Sequence, residues 1–365
     1  MAGMTYIWTS LGQFKPSRLT CRLTEKEPEL DLTMRNDLEK SCLQSNNPCY
    51  SGYQFAAYAD GRNVQGQGGF TDITSEKRVT SATLFDLASL TKLFTASVAA
   101  RLAASGILDL DAPIADWSGL QLHSTQRALT SRELLTHTSG LPAEWIEKDS
   151  REATVDSLLE TPSMPGGVGK QVYACTGYSL FAIALEKWSS KSIADWVREL
   201  ITSPLELDSI GYNPDKTAEI AASGNPEQGL PAGVVHDPRA RALDGVSGNA
   251  GLFGNSGDLL KFAIEVGFGT YGIFEDEARK LLSTPTSKGE WSQAIGFRFS
   301  DSARIGHNRN WLSHSGFTGT LMAIDPDGEK AGVLLTNRLT LGTSREGIAA
   351  VYRSFCDSLS SGELD

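Results

Sequence analysis

The chain has 365 residues, of which 40% are hydrophobic and 21% charged, a composition ordinary for a soluble globular protein. This length suits one large two-lobed domain or two domains. The formal net charge of −11 comes from scattered acidic residues, which argues against nucleic acid or an anionic membrane as the partner, since both bind concentrated Lys and Arg.

No stretch approaches the roughly 20 apolar residues of a membrane span. The first residues carry neither the basic segment nor the apolar core of a secretion signal, so we expect a cytoplasmic protein. The five cysteines are dispersed, which favours reduced thiols, although Cys42 and Cys49 are close enough to bridge a loop in an oxidising compartment. The five histidines have no metal-ligand spacing, so the sequence predicts neither a metal site nor a cofactor.

The first predicted elements are a helix over residues 34–45 and a β-hairpin. Residues 53–59 form the first strand of this hairpin, Asp60-Gly61 is its turn signal, and a Gly-rich second strand runs through Gly69. We expect the hairpin to lie at the edge of a sheet.

A long helix is predicted after residue 83, because apolar residues recur there at helical spacing and form one core-facing stripe. The members of this stripe are Leu90, Leu93, Phe94, Val98 and Leu102, and Gly106 ends the helix. Further helices are predicted over residues 131–135, 177–187, 193–201 and 257–266.

After residue 286 the pattern changes to short strands, predicted over residues 293–299, 311–314, 319–324 and 332–336, with a turn at Asp325-Pro-Asp-Gly. An amphipathic helix over residues 344–359 follows. We therefore expect an α/β plus all-α fold, with an antiparallel sheet that is flanked by helices and built from both termini. Residues 1–88 and 286–365 form its α/β lobe and residues 89–285 an inserted helical lobe, with the active site in the groove between them.

Ser89 and Lys92 form the only Ser-x-x-Lys in the chain. A serine at the first turn of an apolar helix lies near free N–H groups at the positive end of the helix dipole, and Lys92 follows on the same face. Enclosure between two lobes is expected to lower the pKa of Lys92, so that its amine accepts a proton. By itself the tetrapeptide favours the alternative of a serine that caps a helix and a solvated surface lysine.

The wider sequence resembles the class C β-lactamase, family VIII esterase and D,D-peptidase group of serine hydrolases, which has the penicillin-binding protein fold. The resemblance runs from about residue 54 to the C-terminal helix. It is carried by the following segments: Phe85-Asp-Leu-Ala-Ser-Leu-Thr-Lys, Gly106-Ile-Leu-Asp-Leu-Asp-Ala-Pro-Ile, Leu134-Leu-Thr-His-Thr-Ser-Gly-Leu-Pro and Val235-His-Asp-Pro-Arg-Ala-Arg-Ala-Leu-Asp-Gly-Val-Ser-Gly-Asn-Ala-Gly-Leu-Phe. In this context Ser89 is expected to be the nucleophile.

The resemblance implies a second motif, usually Tyr-x-Asn, at Tyr173-Ala174-Cys175. Tyr173 is then the expected general base, since an adjacent ammonium such as that of Lys92 stabilises a phenolate. The alternative is a packed tyrosine with an ordinary hydrogen bond. Cys175 departs from the family's asparagine, and a thiol is a poor substitute for an amide that binds the acyl side chain of β-lactams.

The resemblance implies a third motif, Lys-Thr-Gly, at His314-Ser315-Gly316. The backbone N–H groups of Ser89 and Phe317 then form the oxyanion hole. Histidine for lysine removes a permanent positive charge from the site of a substrate carboxylate, a change that is frequent in the esterase-like branch. His314 is expected to shuttle protons or bind ligand, or alternatively to be structural.

Two more residues have expected roles. Arg338, after the last strand, is expected to reach into the groove and bind a carboxylate, or alternatively to be a solvated surface residue. His137 is expected to hydrogen-bond backbone. Cys175, Ser315, Gly316 and Arg338 make up the predicted substrate-binding set.

The sequence thus predicts a serine hydrolase that forms an acyl-enzyme on Ser89 and acts as an esterase or amidase on a small ester, amide or peptide. A D,D-carboxypeptidase, a D-aminopeptidase or a weak β-lactamase is the nearest alternative. An acyltransferase with the same residues and a non-catalytic ligand-binding pseudoenzyme also stay open. The oligomeric state cannot be read from the sequence.

Overall fold

The computed structural model describes residues 34, 38–39, 48–74, 76–225, 230–289, 291–299, 301, 305–306, 310–342 and 345–361. Its strands are β1 Gly52–Ala59, β2 Arg62–Gly69, β3 Phe85–Asp86, β4 Gly211–Tyr212, β5 Leu252–Gly254, β6 Ser287–Lys288, β7 Ser292–Gln293, β8 Arg298–Phe299, β9 Leu312–Gly316, β10 Thr320–Asp325 and β11 Lys330–Thr336. Its helices are α1 Thr91–Ala104, α2 Ile114–Ser118, α3 Ser131–Leu135, α4 Arg151–Leu159, α5 Cys175–Ser189, α6 Ile193–Val197, α7 Pro238–Ala242, α8 Ser256–Phe268, α9 Asp276–Ser283 and α10 Arg345–Ser361.

The predicted antiparallel sheet built from both ends of the chain is confirmed. Eight strands pair in the order β2-β1-β11-β10-β9-β8-β7-β6. Strand β1 pairs antiparallel with β11, with Tyr53 opposite Thr336, so early and late parts of the sequence meet in the middle of the sheet. A second sheet of three short strands, β3-β5-β4, lies at the start of α1.

Two turns of the large sheet test the predicted strand boundaries. Asp60 and Gly61 have φ angles of 52° and 75°, as a two-residue hairpin turn requires, which confirms the first hairpin. The prediction of a single strand over residues 293–299 is wrong. The chain reverses there between β7 and β8 through Gly296, whose φ of 81° suits glycine, and the N–H of Ala294 bonds to the carbonyl of Phe297.

Both faces of the sheet are buried, because alternate side chains of the central strands pack into two different hydrophobic clusters. On one face, Phe55 and Leu321 pack in a cluster with Phe355 and other residues of α10. On the other face, alternate residues such as Met322 and Val333 belong to the main core, and α8 packs there against β1, β10 and β11. Burial on both faces follows from the two-residue period of a strand.

Helix α1 lies at the centre of the main core and is buried almost all round, so the prediction of a single core-facing stripe was too narrow. Its large apolar residues pack as expected, and the ring of Phe94 stacks on that of Phe262 with centroids 4.2 Å apart. The remaining sides carry small residues, including Ala96, Ser97 and Ala100, which allow neighbouring elements to approach closely.

Several expectations stay predictions. Most of the helix expected over residues 34–45, and Cys42 with its alternative disulfide to Cys49, lie outside the described residues. The division into lobes at residues 1–88, 89–285 and 286–365 also stays a prediction. Within the part of the chain that the structure describes, no helix is long and apolar enough to cross a bilayer.

Candidate active site

The predicted nucleophile stands on a tight turn between a short strand and the central helix. A 3-10 turn over Ala88–Leu90 leads from β3 into α1. Ala88 has a φ of 47°, in the left-handed region that residues with a side chain seldom adopt. Its N–H donates to Oδ1 of Asp86 at 2.8 Å, and the half-buried Ser89 follows directly. A buried carboxylate therefore fixes the backbone one residue ahead of Ser89.

Asp86 also joins the nucleophile turn to two distant segments. Its Oδ2 accepts the N–H of His236 at 2.7 Å, and its main-chain carbonyl accepts the hydroxyl of Thr318 at 2.7 Å. Burial raises the pKa of the Asp86 carboxyl to about 6, against the lowering effect of its backbone hydrogen bonds from His236 and Ala88. The carboxylate is costly to keep charged, and its two bound N–H groups offset part of that cost.

Lys92 is buried and contacts the nucleophile. Its Nζ donates to Ser89 Oγ and to the main-chain carbonyl of Asn249, each at 2.9 Å. Burial opposes the charge, but the negative charges that Cys175 and Tyr173 carry when ionised outweigh it and raise the pKa of Lys92 above its ordinary value. The expectation of a lowered pKa was therefore wrong. Lys92 thus donates a hydrogen bond to Ser89 Oγ, which leaves the role of proton acceptor to another group.

Tyr173 reaches the same oxygen. Its hydroxyl donates to Ser89 Oγ at 2.9 Å. Lys92 Nζ lies 5.2 Å from the centroid of its ring, and Cζ of the buried Arg298 lies 4.9 Å from it. Arg298 is held by Asp301 at 3.0 Å. Two cationic side chains therefore lie within cation–π distance of this ring.

His137 packs on Tyr173, with ring centroids 4.5 Å apart. Its Nδ1 accepts the N–H of Ala174 at 3.1 Å, which confirms the expected bond to backbone. Burial, followed by the charges of Lys92 and Arg298, holds the pKa of His137 well below its ordinary value. A neutral imidazole therefore fixes the chain next to Tyr173.

Strand β9 passes close to the nucleophile turn because Gly316 has no side chain. A Cβ at Gly316 would lie 2.7 Å from the carbonyl oxygen of Leu87 and 3.2 Å from Cβ of Ala88. The hydroxyl of Thr320 donates to the same Leu87 carbonyl at 3.1 Å. The segment that carries the expected oxyanion donor, Phe317, is thus bonded to the turn that carries Ser89.

The other predicted site residues lie around these groups. His314 is buried on β9, with Nδ1 3.1 Å from the carbonyl oxygen of Ser315 and its ring 6.1 Å from that of Tyr173. Ser315 is half-buried on the same strand. Cys175 is half-buried at the start of α5, two residues after Tyr173, and its N–H donates to the Ala143 carbonyl at 2.8 Å. Their roles in substrate binding stay predictions.

Arg338 does not lie on the surface. It is 3% exposed, its Nε donates to the Phe317 carbonyl at 2.8 Å, and its Cζ lies 4.9 Å from the centroid of the Phe317 ring. Burial lowers the pKa of its guanidinium, although the group stays charged. The alternative of a solvated arginine is wrong, and carboxylate binding by Arg338 stays a prediction.

Three residues of the site were not assigned a role from the sequence. Asp86 and Asn249 stand inside the quoted family segments, so their positions were visible but their contacts were not. Arg298 has no motif around it. Among the described residues there is no group of three or more His, Cys, Asp or Glu side chains that could hold a metal ion.

Comparison with known proteins places this geometry in a family. A family model described as Beta-lactamase matches residues 46–355. A putative D-alanyl-D-alanine carboxypeptidase from Escherichia coli O157:H7 is 27% identical over 372 residues, covering 87% of this chain and 86% of its own. An N-acetylmuramyl-L-alanine amidase from Bacillus subtilis (strain 168) is 29% identical over 307 residues, covering 72% of this chain and 69% of its own.

Solved structures agree on the fold. A β-lactamase from Sulfitobacter sp. EE-36 superposes with a TM-score of 0.75 at 18% identity, covering 92% of this chain and 100% of its own. A hydrolase with promiscuous acyltransferase activity superposes with a TM-score of 0.72 at 18% identity, covering 89% of this chain and 98% of its own. The fold expected from the resemblance is confirmed, and the chain belongs to the β-lactamase family of serine hydrolases.

Proposed function

We propose that this protein is an esterase or amidase of small acyl substrates that works through an acyl-enzyme on Ser89. The observation that carries the proposal is the convergence of two groups on one oxygen. Ser89 Oγ lies 2.9 Å from Lys92 Nζ and 2.9 Å from the Tyr173 hydroxyl. A serine needs an adjacent base to act as a nucleophile, and this distance is within the range for proton transfer.

For acylation, the Tyr173 hydroxyl first gives up its proton to solvent. Ser89 Oγ then bonds to the substrate carbonyl carbon while its own proton passes to the Tyr173 phenolate. The carbonyl oxygen becomes an oxyanion that accepts from the N–H groups of Ser89 and Phe317. The bond to the leaving alcohol or amine then breaks, and the leaving group takes the proton from Tyr173. Lys92 keeps its proton throughout and offsets negative charge on both oxygens.

In the deacylation step, Tyr173 takes a proton from water while the water oxygen bonds to the acyl carbon. The bond to Ser89 Oγ breaks, and that oxygen is protonated again, so that acid is released and the enzyme returns to its starting state. An alcohol or amine in place of water gives acyl transfer by the same steps. The solved hydrolase with promiscuous acyltransferase activity is similar to this chain in fold only.

Two substitutions support a small ester or amide over a β-lactam or a peptide carboxylate. His314 stands where the family has lysine, so a permanently charged side chain is missing from this buried position. Cys175 stands where the family has an amide that bonds the acyl side chain. Arg338, the remaining candidate for a carboxylate ligand, uses its Nε to bond the Phe317 carbonyl.

A D,D-carboxypeptidase or D-aminopeptidase is the second candidate. It is favoured by the relatives, of which one is a putative D-alanyl-D-alanine carboxypeptidase and another an amidase. This candidate predicts release of D-alanine from D-alanyl-D-alanine peptides and stable acylation of Ser89 by penicillin.

A substrate panel tests the proposal. Purified protein is assayed with p-nitrophenyl acetate and butyrate, a chromogenic cephalosporin, D-alanyl-D-alanine peptides and D-alanine amide. Ser89→Ala is the blank, and Ser105→Ala, which changes an exposed serine just after the same helix, is the matched control. We expect ester turnover by wild type and Ser105→Ala only. Turnover of the peptide or amide without ester turnover favours the second candidate, and no turnover or acylation of any probe favours a pseudoenzyme.

A further inference from the structure

Arg338 holds Phe317 from two sides. Its Nε donates to the Phe317 carbonyl at 2.8 Å, and its guanidinium carbon lies 4.9 Å from the centroid of the Phe317 ring. Its stem packs on Gly319, where an added Cβ would lie 3.0 Å from Cγ and 3.2 Å from Cβ of Arg338. The arginine is 3% exposed, so these contacts are shielded from water.

The contacts matter because Arg338 is the residue that holds both the carbonyl and the ring of Phe317, whereas His236 and Arg345 contact the ring. Its ring is 43% exposed, and it lies in the tight turn between β9 and β10, where Gly319 N–H bonds to the Gly316 carbonyl at 3.2 Å. On the far side of this turn, Thr318 is bonded to the Asp86 carbonyl. The Gly316 carbonyl shares a peptide plane with the Phe317 N–H, so its bond to Gly319 restrains that plane directly. The Phe317 carbonyl belongs to the next peptide unit, and holding it together with the ring fixes the Phe317 Cα, to which the nitrogen of the N–H is bonded.

We propose that Arg338 is a positioning residue that sets the direction of the Phe317 N–H toward the oxyanion, and that it is not a ligand for a substrate carboxylate. The proposal rests on the acyl-transfer function above. A hydrogen bond from a cation to a carbonyl is stronger than a neutral one, and an oxyanion donor stabilises the transition state only when it is aimed at the developing charge.

An arginine that binds a substrate carboxylate would behave differently. Such a residue would bind the ground state and the transition state of an anionic substrate equally, so its loss would raise KM for anionic substrates alone. Loss of a residue that aims the oxyanion donor lowers kcat for neutral and anionic substrates by the same factor. The two roles are thus separable by kinetics on a matched pair of esters.

The test compares p-nitrophenyl butyrate, which is neutral, with mono-p-nitrophenyl succinate, which carries a carboxylate. The variants are Arg338→Gln and Arg338→Lys, because lysine keeps the charge but puts a methylene where Nε donates. Arg345→Gln is the matched control, since exposed Arg345 lies 5.1 Å from the centroid of the same ring. Thermal unfolding of each variant verifies that it is folded.

We expect both Arg338 variants to lower kcat on both esters by roughly 10- to 100-fold, less than the loss of a whole oxyanion donor, with KM changed less than threefold. Arg345→Gln is expected to keep the wild-type kcat on the neutral ester. The proposal is overturned if Arg338→Gln raises KM for the succinate ester alone, or if Arg338→Lys has wild-type kcat on both.

Failure of the proposed function is a separate result. If wild type hydrolyses neither ester, the same variants are compared by the rate at which a fluorophosphonate labels Ser89, a reaction that also builds negative charge on an oxygen. Slower labelling of both Arg338 variants supports the positioning role. Equal labelling rates, or no labelling of Ser89 at all, contradict it.

Discussion

Replacing Tyr173 by phenylalanine removes one oxygen from the site and little else. The ring is expected to stay in place, with its centroid 5.2 Å from Lys92 Nζ and 4.9 Å from Arg298 Cζ, while the hydroxyl loses its 2.9 Å bond to Ser89 and its interaction with Lys92. A single hydrogen bond of this kind is worth about 0.5–1.5 kcal/mol of net stability. Loss of a general base costs about 10²–10⁴ in rate, or roughly 3–5.5 kcal/mol in the barrier. We therefore expect a large loss of kcat with a small change in the free energy of unfolding.

Tyr178→Phe is the matched control for this prediction. Tyr178 is fully buried, its hydroxyl donates to the Leu135 carbonyl at 2.7 Å, and its ring centroid lies 5.7 Å from Lys92 Nζ. The Leu135 carbonyl keeps its bond from the Gly296 N–H at 3.4 Å, so loss of the tyrosine hydroxyl is expected to cost about 0.5–1.5 kcal/mol of stability while kcat stays within about threefold of wild type. Ester kinetics and urea unfolding of both variants measure the two effects. A Tyr173→Phe enzyme with wild-type kcat would refute the assignment of Tyr173 as the base.

Two further predictions concern Asp86 and Cys175. The pKa of Asp86 is about 6 in the folded protein, above its value in the unfolded chain, so its favourable contribution is complete below pH ~4 and is lost as pH rises through about 6. Between pH 4 and 7.5 the urea-unfolding free energy of wild type is thus expected to fall relative to that of Asp86→Asn by roughly 2.5 kcal/mol, and a constant difference would contradict the raised pKa. Cys175→Asn restores the amide usual in the family and is expected to speed acylation by penicillin more than tenfold relative to Cys175→Ala. Mass spectrometry of the intact protein measures the two acylation rates. Equal rates in the two variants would argue against an acyl-binding role at this position.

Much of this site could be predicted because its reactive groups lie in local patterns. Ser89 and Lys92 share one helical turn, so their 2.9 Å contact follows from spacing. The strand that carries His314 was predicted from the sequence over residues 311–314, and the segment before Tyr173 carries a Pro-Gly turn. A sheet built from both ends of the chain was also expected, because strands occur at both ends, and the pairing of β1 with β11 is where the two ends meet.

The supporting contacts could not be predicted because each joins residues far apart in sequence. Asp86 meets His236, and Arg338 meets Phe317, only after the sheet and the helices have packed. The direction of the pKa shift of Lys92 could not be predicted for the same reason. The burial of Lys92 could be foreseen, but the direction of the shift depends on Tyr173 and Cys175, which are distant in sequence and whose charges outweigh the effect of burial. The two short strands β7 and β8 were merged in the prediction because the turn at Gly296 carries no polar turn residues.

The central claim is that Ser89 is the nucleophile, and covalent labelling tests it most directly. Folded wild-type protein is treated with a fluorophosphonate, digested and analysed by mass spectrometry, with Ser89→Ala and Tyr173→Phe treated in parallel. We predict one adduct on the peptide that contains Ser89 in wild type, slower labelling in Tyr173→Phe and none in Ser89→Ala. An adduct on another serine, or equal labelling of Ser89→Ala and wild type, would contradict the account.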